Sequence, residues 1–173
     1  MTLTHFNKKN KSTEMVNISN KEKTKRKAIA EGILIIDKTL HNYLQKNKKI
    51  MDNLINTAKI AGIFAAKNTP NVIPLTHNIP IDYIDIKIRL FEKNKINILA
   101  VAKSHYSTGI EIEVIHAVVI SATTIYDMLK SYKKKIVIKN INIIKENNIN
   151  TFLIGGSILN NMNIKKYIGD ITK

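Results

Sequence analysis

Three features of the sequence predict an α+β, ferredoxin-like domain of βαββαβ order, with an antiparallel sheet and helices packed on one face. Residues 28–36 alternate with period two, as a strand does. Residues 84–90 and 96–102 alternate in the same way on either side of a short polar turn, which reads as a hairpin. Two segments of helical spacing, one before the hairpin and one after it, supply the crossovers.

In chain order, residues 1–24 are polar and lysine-bearing and read as a flexible arm, with a short strand expected at 15–18. Ala28, Ala30, Gly32, Leu34 and Ile36 define one face of the first long strand. Ile29, Ile33 and Ile35 lie on the other face, which is too apolar to leave wet, so oligomerisation is expected. Asp37 is placed to cap a short helix through Leu40, Tyr43 and Leu44. Residues 46–49 read as a basic loop, and Asp52 or Asn53 as the start of a second helix. Its small residues Ala61, Gly62, Ala65 and Ala66 leave room for another backbone, and Pro70 marks its end. Pro74 and Pro80 bracket an extended loop holding Leu75, Thr76 and His77. After the hairpin, Thr108 and Gly109 lead into the longest helix, expected over 112–132, and residues 136–144 form the last strand. The chain thus divides into an arm at 1–24, one domain at 25–146 and an Asn-rich tail at 147–173.

A length of 173 residues fits one core, and 44% hydrophobic with 24% charged residues excludes wholesale disorder. There is no cysteine, which excludes disulfides, thiolate metal sites and a cysteine nucleophile. No apolar run approaches the roughly 18 residues that a membrane helix needs. The polar N-terminus has no hydrophobic stretch after it, so the expectation is a cytoplasmic protein with no membrane partner. The net charge of +15 comes from 26 Lys and only 2 Arg, beside 33 Ile and 21 Asn. A surface selected for nucleic acid more often uses arginine, whose planar fork grips phosphate at two points. The excess therefore reads as a lysine-loaded surface. The rival reading is attraction for an anionic partner, either a polymer or a phosphorylated small molecule.

The six glycines form no G-x-G-x-x-G and no phosphate-binding P-loop, and there is no G-x-S-x-G elbow. The five histidines include no H-x-x-x-H pair. Glu113 and His116 are half of a di-iron carboxylate motif without a second copy, so no metal is expected. Three clusters remain. Asp127 and Lys130 share a helix face at i, i+3 and read either as a surface ion pair or as a partly desolvated acid/base pair with a phosphate-binding ammonium. His77 sits in a loop stiffened by two prolines, where a histidine is either solvated or well positioned. Glu111 and Glu113 open the long helix, where acids commonly complement the dipole, although the N–H groups there also suit an anion.

Four motifs stand in one order: AKIAGIFAAK at 58–67, IPLTHN at 73–78, TGIEIE at 108–113 and TIYDMLK at 124–130. In these the chain resembles the cyclic pyranopterin monophosphate synthase family of molybdenum cofactor biosynthesis, the MoaC proteins, over about residues 13–145. The resemblance implies an enzyme that converts 3',8-cyclo-7,8-dihydro-GTP to cyclic pyranopterin monophosphate and releases pyrophosphate. It implies a ferredoxin-like fold, a homohexamer built from dimers, and no redox cofactor. It assigns Asp127 as the catalytic aspartate and Lys130 to proton transfer or to the triphosphate. Leu75, Thr76 and His77 become a substrate-binding loop, Ile112 and Glu113 a second substrate-contacting pair, and Lys59 and Lys67 phosphate contacts.

Glu113 and Asp127 are 14 positions apart. On one helix that is about 21 Å, so both serve one nucleotide-sized substrate only if different chains supply them. The sequence departs from the family pattern at four places. Asn17 stands where the family has Asp, Met51 and Ser107 stand where it has basic residues, and a Gly-Gly-Lys-Ser-Gly tail is replaced by residues 146–149. These departures set a catalytically impaired relative beside the enzyme as a second reading. A basic ferredoxin-like RNA-binding module is a third, weakened because the hairpin offers only Phe91, with Tyr83 just outside it.

Overall fold

The computed structural model describes residues 3–91, 94–133 and 135–144. Its elements are β1 (Thr24–Ile35), α1 (Lys38–Lys46), α2 (Lys48–Lys67), a four-residue α3 (Thr69–Val72), β2 (Tyr83–Phe91), β3 (Lys95–Tyr106), α4 (Glu111–Leu129) and β4 (Val137–Ile144). A 3-10 turn at Lys130–Tyr132 follows α4. The strands lie in the order β2-β3-β1-β4, and each neighbouring pair is antiparallel. This is the ferredoxin-like arrangement expected from the element order.

The alternation in β1 buries Ala28, Ala30 and Leu34 in one cluster with Ala58 of α2 and with Val114, Ala117 and Val118 of α4. Small side chains on β1 and β3 (Ala28, Ala30, Ala100 and Ala102) let the long helices lie close to the sheet. Gly62 does the same between helices. A methyl group there would lie 2.8 Å from the Ala117 carbonyl oxygen, and Ser121 Oγ donates across the same gap to the Ala58 carbonyl at 3.0 Å. Asp37 caps α1 as expected, its Oδ1 accepting from the N–H of Thr39 at 2.7 Å and of Leu40 at 2.9 Å.

Several expectations need correction. Residues 15–18 form no strand; the arm instead holds an isolated bridge between Phe6 and Thr13. The basic segment at 46–49 is not a loop, because only Asn47 separates α1 from α2 and α2 begins at Lys48. Asn47 makes so short a break possible by donating both its backbone N–H and its Nδ2 to the Tyr43 carbonyl, at 3.0 and 2.8 Å. β1 begins four residues earlier than its alternation suggested, at Thr24. The far face of the sheet also differs from expectation: Ile29 and Ile33 are 2% exposed in the single chain, so their burial is not by itself an argument for a second copy. Finally, the segment Glu111–Tyr132 is long and apolar enough to cross a membrane, against the expectation that none is. It is apolar because it is the core helix, with Val114, Ala117, Val118, Ala122 and Ile125 at 0% exposure. The tail motif at 146–149 and the Gly155-Gly156-Ser157 sequence lie outside the described residues.

Candidate active site

The first turns of α4 carry a buried acid. Glu113 is 2% exposed and its Oε2 has no hydrogen-bond partner. Burial pushes its carboxyl up to about 7; its own backbone N–H opposes the shift and Glu111 adds to it. Near neutral pH this side chain is therefore poised between an acceptor and a donor. One turn on, His116 Nδ1 lies 3.2 Å from the hydroxyl of Thr69, which is fully buried and reaches the Ala65 carbonyl at 3.3 Å. The contact ties α3 to the first half of α4. Sequence spacing marked His116 only as half of a metal motif. Among the described residues no three His, Asp or Glu side chains gather as a metal ion would need.

The loop that leaves α3 holds Leu75, Thr76 and His77, all half-buried. Thr76 donates through Oγ1 to the Ile73 carbonyl at 2.8 Å, which closes a turn. His77 Nε2 is buried without a partner. The far end of the loop is pinned to β3 by Ser104 Oγ, which donates to the Pro80 carbonyl at 2.6 Å. Glu113 and His77 thus each present an unsatisfied polar atom, the condition that a polar ligand relieves.

The Asp127–Lys130 pair stands apart from this. The Lys130 ammonium lies 2.6 Å from Asp127 Oδ1, where the α-helix gives way to the 3-10 turn, and the carboxylate holds the lysine above its usual range. Both side chains face solvent, Asp127 at 66% and Lys130 at 62% exposure. The partial desolvation expected for this pair is not present in the single chain. The helices α2 and α4 run antiparallel, with Ala58 meeting Ser121 and Thr69 meeting His116. The acid/base pair therefore lies at one end of α4 and Glu113 at the other, about 21 Å apart along the axis.

The remaining candidates divide plainly. Lys59 is held 3.1 Å from Asp85 on the edge strand β2. Lys67 is exposed at the last turn of α2, and Ile112 is 41% exposed beside the buried Glu113. Met51 is part of the core at 8% exposure. Ser107 spends its hydroxyl on the Lys21 carbonyl at 2.8 Å, and Asn17 uses its side-chain oxygen to accept from the Ser19 N–H at 2.9 Å.

Comparison with known proteins finds a match to the MoaC family model over residues 15–148, a span that contains every candidate residue. A cyclic pyranopterin monophosphate synthase from Staphylococcus epidermidis is 40% identical over 139 residues, covering 78% of this chain and 85% of that protein. One from Thermoanaerobacter sp. is 39% identical over 147 residues, or 84% and 92% of the two chains. A probable cyclic pyranopterin monophosphate synthase from Sulfolobus acidocaldarius is 38% identical over 120 residues, or 69% and 83%.

Proposed function

The chain belongs to the MoaC family, and from that premise we propose that it is a cyclic pyranopterin monophosphate synthase of molybdenum cofactor biosynthesis. The observation that carries the reading is the 39–40% identity to such synthases over most of both chains. Its substrate is 3',8-cyclo-7,8-dihydro-GTP and its products are cyclic pyranopterin monophosphate and pyrophosphate. Closing the cyclic phosphate exchanges the bond between the α-phosphorus and pyrophosphate for one to a substrate hydroxyl. The hydroxyl proton must leave, and the charge on departing pyrophosphate must be held. Rearranging the base requires protons delivered to and taken from its nitrogens.

Asp127 and Lys130 are the residues we assign to that proton traffic, each kind of transfer contributing about 10²–10⁴-fold in rate. Lys67 and Lys59 are assigned to the triphosphate electrostatically. Leu75, Thr76, His77, Ile112 and Glu113 are assigned to the base and sugar. The unsatisfied Nε2 of His77 and Oε2 of Glu113 support this, since both are poised to pair with polar substrate atoms.

The separation along α4 and the exposure of Asp127 and Lys130 support a site completed by a second copy of the chain. In that arrangement the acid/base end of one copy meets the Glu113 end of its neighbour, and the contact supplies the desolvation that one copy lacks. We assign the assembly as a homohexamer, a trimer of dimers, in the cytoplasm, with residues 25–146 as the catalytic domain and 1–24 as an arm.

A second reading is favoured by a separate set of observations. Met51, Ser107 and Asn17 are all committed to structural contacts and put no ammonium or carboxylate at positions where the family has them. That is the pattern of a relative that assembles but turns over slowly or not at all. Incubation with the cyclised dihydro-GTP, following pyrophosphate and the pterin product, separates the two. The enzyme reading expects product from the wild-type chain and loss of it in Asp127→Ala. Equal signals from both would remove the assignment of Asp127, and an assembled wild-type protein without product would favour the impaired relative.

A further inference from the structure

The loop that carries Leu75, Thr76 and His77 hangs from α3, and its suspension can be followed bond by bond. Thr76 closes its turn on the Ile73 carbonyl, through its N–H at 3.2 Å and its Oγ1 at 2.8 Å. The N–H of Ile73 donates in turn to the Thr69 carbonyl at 2.9 Å. Thr69 opens α3 and is fully buried, and its hydroxyl lies 3.2 Å from His116 Nδ1. A continuous chain of polar contacts therefore runs from an imidazole on α4 to the residue before His77.

The four residues of α3 make a single turn, far below the length at which a helix stands by itself. Pro70, which follows Thr69, has no N–H with which to anchor it. Bonds through Asn68 join α3 to the end of α2: its N–H reaches the Phe64 and Ala65 carbonyls at 3.1 and 3.0 Å, and its own carbonyl accepts from the Asn71 N–H at 3.0 Å. The far end of the loop is fixed to the sheet by Ser104. Neither anchor involves α4, the helix that carries Glu113. The contact between His116 and Thr69 does. Glu113 precedes His116 by three positions, about 4.5 Å of helix rise, so the two are neighbours on one side of α4. The half-buried His116 thus refers the His77 loop to the turn that presents Glu113.

Resting on the synthase reading above, we propose that His116 is a positioning residue: through Thr69 it sets where the His77 loop stands relative to Glu113, so that the unsatisfied atoms of both meet one substrate. It touches no reacting atom. Its loss weakens substrate binding and leaves proton transfer by Asp127 and Lys130, at the other end of α4, as it was.

Variants of the full chain test this by two readouts: hydrogen exchange at the Ile73 and Thr76 amides, and steady-state kinetics with the cyclised dihydro-GTP. His116→Leu keeps bulk without a polar atom, and Thr69→Val removes the partner hydroxyl. His116→Asn returns a polar atom near the position of Nδ1. Ser121→Ala removes a different bond between the long helices, the one to the Ala58 carbonyl. Both amides should exchange about tenfold faster in His116→Leu and in Thr69→Val, because the turn opens more often. KM should rise about tenfold in each, with kcat within about twofold of wild type, the mark of lost uniform binding. Combining the two changes should add little to either alone. His116→Asn should restore exchange and KM to within about threefold of wild type, and Ser121→Ala should leave both unchanged while lowering the melting temperature. Wild-type exchange in His116→Leu overturns the proposal. So does an asparagine variant no better than the leucine one, or a KM raised as far by Ser121→Ala. A wild-type chain that yields no product defeats the synthase reading alone, and the exchange rates then decide whether His116 holds the loop.

Discussion

Replacing Glu113 by Gln should change the pH dependence of stability in a direction that its burial dictates. In the folded chain burial holds this carboxyl up at about 7, against an ordinary 4.5. Between those two values the folded chain keeps a proton that the unfolded chain has released. The folded state binds more protons there, so stability falls as pH rises from about 4.5 through about 7 and is level beyond. The full displacement corresponds to on the order of 3 kcal/mol, and on the order of 2 kcal/mol once solvent screening is allowed for. Glutamine keeps the shape and cannot ionise. Urea unfolding of wild type and Glu113→Gln at a series of pH values from about 4 to 8 reads the difference directly. Glu31 is also raised by burial, but it is common to both proteins and cancels. The variant should match wild type at the acid end and exceed it by on the order of 2 kcal/mol at the alkaline end. Two curves that stay parallel across the range, or a variant less stable at pH 8, would refute the account of Glu113 as a carboxyl strained by burial.

Other outcomes follow from the same contacts. Gly62→Ala drives a methyl group toward the Ala117 carbonyl oxygen and should cost about 1–3 kcal/mol by thermal unfolding, with the fold retained. Asp127→Asn should leave the fold of the chain intact by circular dichroism, because the carboxylate is 66% exposed in the single chain, while turnover falls by about 10²–10⁴-fold. Mixed oligomers of Asp127→Ala and Glu113→Ala subunits should recover part of the activity that each variant lacks alone; no recovery would count against sites shared between copies.

Much of the architecture was open to reading because it rests on alternation and capping. The hairpin, the body of β1 and the Asp37 cap each depend on neighbours in sequence and were legible from them, although β1 extends four residues further back than its alternation reached. What escaped depended on contacts made at a distance. One asparagine turning two helices against each other at position 47 leaves no composition signal, and residues 15–18 take no regular structure although Met15, Val16 and Ile18 suggested a strand. The site divides in the same way. The i, i+3 spacing placed Asp127 and Lys130 together, but spacing says nothing of solvent, and the pair proved exposed. Glu113 was read as an acid complementing a helix dipole, yet it is buried. A signal was present: Glu113 leads the stripe Ala117 and Ser121 at successive fourth positions, which is the side of α4 that faces α2.

The backbone-to-backbone approach at Gly62 has a mechanical consequence. With only the Ser121 hydroxyl and the tip of Ile86 beside the glycine, α2 and α4 interlock like toothed bars and act as one stiff strut. The distance from the Glu113 end to the Asp127 end is then a fixed length of the protomer. In the proposed site shared between two copies, opening or tightening around a bound nucleotide falls to one protomer pivoting against another rather than to bending within either.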